Sequence, residues 1–110
     1  MRKLSLDALA RQLLERASGG TSGRAAQTVA GGHERVLRQT MIALTRGTVL
    51  GKHANPGEAT VQVLHGRVRL TAGADSWEGR QGDLLIIPES AHDLAALQDS
   101  AVLLTVVTRT

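Results

Sequence analysis

The spacing of apolar positions along the chain changes period once. Leu6, Leu9, Leu13 and Leu14 fall on one stripe of a helix predicted over Leu4 to Ala17, while Asp7, Arg11, Glu15 and Arg16 lie mostly elsewhere. Ser5 is placed to cap it, and Asp7 suits the positive end of the helix dipole. The run Gly19-Gly20-Thr21-Ser22-Gly23 stops it. No second helix follows, which excludes a helix-turn-helix and leaves packing as the role of the leucine stripe.

From Arg24 onward the period is two. Ala25 to Val29 reads as a strand, Gly31-Gly32 as a turn, and Val36 to Leu44 as a strand. On that second strand Val36, Arg38, Thr40, Ile42 and Leu44 share one face, and Leu37, Gln39, Met41 and Ala43 the other. Both faces are partly apolar, so both need cover. A strand through Val49 and His53, the turn Asn55-Pro56-Gly57 and a strand over Ala59 to Leu64 follow. Next come Arg67 to Ala72, Ser76 to Glu78, Leu84 to Ile87, His92 to Leu97 and Ala101 to Val107, separated by glycine, proline and aspartate turns. About eight to ten short strands in this order predict an antiparallel sandwich or barrel.

Polar groups concentrate at Gly47 to Gly66, where alternation turns His53 and Asn55 the same way with Val49 behind them. This stretch resembles the first motif of the cupin family, a glycine, five residues, His-x-His, a short gap, a glutamate, six residues and a glycine. Gly47, His53 and Gly66 are in register with it; Asn55 stands at the second histidine and Ala59 at the glutamate. Glu58 is one residue early, which in a regular strand faces it the opposite way. Gly82 to His92 resembles the second motif: Gly82 and Pro88 keep its spacing, Ser90 stands at a glycine, His92 arrives one residue early, and Ala96 occupies roughly the asparagine place. The resemblance covers about Gln27 to Val107. It implies an all-β fold, the double-stranded β-helix or jelly-roll-like cupin barrel, with a short N-terminal α-helix. Residues 1–23 are then the helix and linker, and residues 24–110 the barrel. The helix stripe would lie against the outside of the barrel or against a second subunit.

What the resemblance implies chemically is a metal cup of three imidazoles and a carboxylate. Here it offers His53 and His92 as ligands, with Glu58 joining only if a bulge shifts its strand. A divalent iron, nickel, manganese or zinc ion is the implied cofactor, although losing an imidazole and a carboxylate together weakens such a site. The same positions read without metal give a small-molecule pocket among His53, Asn55, Gln62 and His92. The two histidines are equally placed to hydrogen-bond each other, Asn55 or water. His65 reads as an exposed turn residue, and His33 has no partner that the sequence names.

Composition narrows the alternatives. The 110 residues make one domain with a single modest core. With no cysteine, thiolate metal sites and disulfides are excluded. No apolar run spans a membrane and no leader pattern opens the chain, so a cytoplasmic protein is expected. The net charge of +3 comes from scattered arginines, and Trp77 is the sole aromatic residue, so stacking platforms for nucleic acid are missing. Neither a phosphate-binding glycine loop opening a helix nor a nucleophile elbow occurs. Three functions follow: a small-molecule-binding cupin with a degenerate site, a metal-dependent oxygenase or isomerase, and an interaction module. Strands with two apolar faces need more cover than one short helix gives, so a homodimer is expected, through Ala25 to Val29 or the Leu6/Leu9/Leu13 stripe.

Overall fold

Ser5 starts the helix: its Oγ accepts a hydrogen bond from the Ala8 amide at 3.2 Å, and α1 runs from Leu6 to Gly19. Gly20 ends it in extended backbone. A computed structural model describes residues 1–32, 34–53 and 57–108. Among the described residues nine strands follow the helix: β1 (Arg24–Ala30), β2 (Leu37–Leu44), β3 (Val49–His53), β4 (Gly57–His65), β5 (Arg67–Ala72), β6 (Asp75–Arg80), β7 (Leu84–Ile87), β8 (His92–Ala96) and β9 (Ser100–Thr108). The predicted strands are present, each end within two residues of its expected place.

All the strand pairings are antiparallel. They form a five-stranded sheet in the order β1-β2-β9-β4-β7 and a four-stranded sheet in the order β3-β8-β5-β6. Two facing sheets with this interleaved order are a jelly roll. Between them lies the main core. Leu44, Ala59, Val61, Val63, Ile87 and Val102 point in from the larger sheet, and Val68, Leu70, Leu94 and Ala96 from the smaller. Each such Val or Leu contributes about 2 kcal/mol by leaving water.

The second face of β2 is covered from within the chain. Leu9, Ala10, Leu13 and Ala17 of α1 pack on Met41 and Ala43 of β2, Val29 of β1 and Ala101 and Leu103 of β9. Leu9 and Leu13 of the stripe are therefore spent on the outside of the barrel, one of the two expected locations. Leu14, on the flank of that stripe, is only partly buried.

Turns close the rest. Gly66 joins β4 to β5 at φ 83°, a conformation that favours glycine, and a Cβ there would collide with the Asp99 carbonyl oxygen and Ser100 Oγ. Buried Ser100 ties this corner together: its Oγ accepts from the Arg67 amide at 3.0 Å and lies 2.8 Å from the Gln98 carbonyl and 3.1 Å from that of Arg67, to which its hydroxyl donates.

Candidate functional site

Strands β3 and β8 bring the two sequence-predicted histidines together. In the ladder Leu50 pairs with Leu94 and His53 with His92, so three steps on β3 answer two on β8. That irregularity breaks strict alternation. Val49 pairs with Ala95 and is exposed, while Leu50 packs against the interior. The backbone partnership of His53 and His92 holds despite the odd count.

His92 is 2% exposed. Its Nδ1 lies 2.9 Å from the Ser90 carbonyl oxygen, which only accepts, so Nδ1 carries the proton and donates. In the neutral ring that leaves Nε2 as the acceptor. Around it stand Ile42, Leu50, Val61, Leu70, Ile87, Leu94, Val102 and Leu104, lining a cavity of about 20 Å³. That volume holds about one water.

The other predicted residues fall differently. Asn55 and His33 lie outside the described residues. Gln62 is exposed, because β4 alternates with Ala59, Val61 and Val63 turned inward. Glu58 shares that outward face: the ladders of β4 run without a shift from Gly57 to Val63, so the bulge that would turn it inward is absent there. Ala59 and Ala96 do face the interior, at the places where the cupin motifs carry a glutamate and an asparagine, and neither offers a donor atom. His65 is exposed at the end of β4, as expected, and Trp77 is half-exposed on the edge strand β6.

A divalent ion in this cup would rest on His53 and His92. Among the described residues no three His, Cys, Asp or Glu side chains come together, and the wall around His92 is hydrocarbon. Catalytic ions take three protein ligands, and the described residues do not supply such a set. Sequence reasoning missed the Ser90 carbonyl, a backbone group that any residue supplies. It missed also a groove of about 520 Å³ lined by Glu58, Thr60, Ile86, Pro88, Thr105 and Val107 among others.

Comparison with solved structures agrees with this architecture. The chain superposes on a cupin superfamily protein from Desulfitobacterium hafniense with a TM-score of 0.80 at 16% identity, covering 98% of this chain and 92% of that one. A conserved protein of unknown function from Streptococcus pyogenes matches at 25% identity and TM-score 0.74, over 83% of this chain and 79% of the other. Salicylate 1,2-dioxygenase from Pseudaminobacter salicylatoxidans matches at 17% identity and TM-score 0.76, over 91% of this chain but 33% of that enzyme. No family model and no curated protein matches the sequence. The fold is that of the cupins.

Proposed function

We propose that this cupin-fold chain binds a small organic molecule where β3 and β8 meet, and holds it by hydrogen bonding to imidazole without a metal. The buried His92 ring carries the reading. A polar group taken out of water needs a reason, and its Nδ1 is already oriented by the Ser90 carbonyl 2.9 Å away. With that tautomer set, Nε2 is the acceptor of a ring that lines a hydrocarbon-walled interior. The chemistry suits a compact ligand with an apolar body and one O–H or N–H donor. A charged ligand is disfavoured, because the hydrocarbon lining does not replace its hydration.

Phenol and salicylate are suitable probes, the second because a structural neighbour is a salicylate dioxygenase. In histidine-labelled protein, NMR titration is expected to give saturable shifts of the His92 ring signals with phenol exceeding salicylate at neutral pH. His92→Phe is expected to abolish them while leaving the fold intact. Ring signals unmoved by either probe, or binding that survives His92→Phe, refutes the reading. The metal-dependent oxygenase or isomerase implied by the motifs is tested in the same tag-free preparation: iron, nickel, manganese and zinc are each expected to bind more weakly than about 1 μM.

A further inference from the structure

Trp77 is the sole aromatic residue of the chain, and the strand register sets it on the inner face of the smaller sheet. It pairs with Leu70, Leu70 with Leu94, and Leu94 with Leu50. Partners in a ladder share a face, so the four form one row. Gly79, two residues on and therefore on the same face, gives an independent bearing: a Cβ there would meet Leu85 Cδ1 and Val63 Cγ2 of the opposite sheet, each at 3.2 Å. Leu50, Leu94 and Leu70 are walls of the small cavity beside His92. Trp77 ends the same row, yet it is 49% exposed. Its edge position leaves it so: among the described residues β6 pairs only with β5 and β7 only with β4, and no strand closes the side between them. The register also measures the way back to His92. Thr71 pairs with Asp93 and Ala72 with Asp75, which sets Ala72 level with His92 and on the face of Leu70. From Trp77 to His92 is then two strand spacings and two residues, about 12 Å along the sheet.

We propose that Trp77 is the stacking wall of the ligand site, and that the ligand is a neutral aromatic molecule whose ring lies against the indole and whose donor reaches His92. The donor half of this assignment rests on the His92 reading; the ring half rests on the position of the indole. The space closed off beside His92 holds about one water. The body of a ligand is therefore received by the continuation of that wall, through Leu70 and the small side chain of Ala72 to Trp77. The buried core is built of Ala, Val, Leu, Ile and Met. Against such walls a flat π-surface standing half in water is the one feature that separates an aromatic ring from an aliphatic ring of equal size.

Phenol and cyclohexanol are the probes, since they share a hydroxyl group and a six-membered carbon ring and differ in its π-system. Affinities are read from the His92 ring signals, and the emission of Trp77, the single tryptophan, reports on the indole alone. In the full chain phenol is expected to change that emission saturably, with the midpoint of the His92 shifts, and to bind roughly three- to tenfold more tightly than cyclohexanol. Trp77→Leu is expected to lose this preference by weakening phenol and not cyclohexanol, and Trp77→Phe to retain most of it. Far-UV circular dichroism identical to wild type shows that both variants are folded. His92 shifts without a change in indole emission, equal affinities in the wild type, or a folded Trp77→Leu that keeps the preference overturns the assignment of Trp77 and leaves the His92 reading in place. A saturable emission change with phenol that survives His92→Phe does the reverse: it removes His92 as the donor's partner and upholds the indole as the ring's.

Discussion

Adding one methyl group at Gly66 tests how tightly the β4–β5 corner is built. The position combines φ 83° with a backbone oxygen and a hydroxyl where the Cβ would sit. Backbone strain and overlap add, so Gly66→Ala is expected to cost about 2–4 kcal/mol, read from the urea midpoint at unchanged slope. Gly73 is the control. Its φ of 60° is similarly left-handed, but an added Cβ meets nothing within 4 Å, and asparagine tolerates that region, so Gly73→Asn is expected to cost less than about 1 kcal/mol. A second residue-scale expectation concerns Glu78. The Arg69 guanidinium hydrogen-bonded to it, and the charge of Arg67 at 2.7 Å, hold its carboxyl below the ordinary 4.5. A depressed carboxyl stabilises the fold above its unfolded value and loses that contribution as pH falls through the folded one. Because Glu78 is solvent-exposed, salt screens the effect. A carboxyl carbon NMR titration is expected to place its midpoint below 4.5 at low salt and closer to it in 1 M NaCl.

At the scale of elements, what could be read from the sequence depended on whether a rule needs counting. Helix α1 and the strand order needed none: a 3.6-residue stripe gives way to period-two segments cut by Gly, Pro and Asp turns, and both survive small boundary errors. The facing of individual side chains does need counting. On β4 the count was regular, so Glu58 faces away from the cup as the alternation required, whereas Gln62, four residues on and necessarily on the same face, was placed inside it. On β3 an irregularity lies between Leu50 and His53, and nothing in the residue types there announces it. The cupin motifs found the pair of strands that carry His53 and His92, since glycine and proline spacing encodes turns. They carried no information on the groove over β4 and β7, which only the lateral order of strands creates. An element-scale test follows from α1: Leu13 is fully buried against the sheet, whereas Leu14 is only partly covered. Leu13→Ala is expected to cost about 3 kcal/mol and Leu14→Ala about 1 kcal/mol in chemical unfolding.

For the whole molecule the question is which parts the barrel cannot lose. Strand β9 lies between β2 and β4 at the centre of the larger sheet, pairing Val107 with Leu37 and Val102 with both Ile42 and Val63. Without it β1-β2 and β4-β7 become separate two-stranded ribbons, each too small to bury a face. A chain lacking residues 100–110 is therefore expected to show no cooperative melting. Helix α1 is different in kind, because no strand pairing passes through it. Its removal uncovers Met41, Ala43, Ala101 and Leu103 and forfeits the burial of Leu9 and Leu13, about 4 kcal/mol by area. Against a total of roughly 5–15 kcal/mol for a domain of this size, that loss leaves the sheets formed but marginal. A chain lacking residues 1–20 is expected to keep its β-sheet circular dichroism and one cooperative transition, lowered by ~20 °C, and to self-associate through the newly bared face. Retention of cooperative unfolding after loss of β9, or its disappearance after loss of α1 alone, would show that the strand order does not govern the fold's cooperativity.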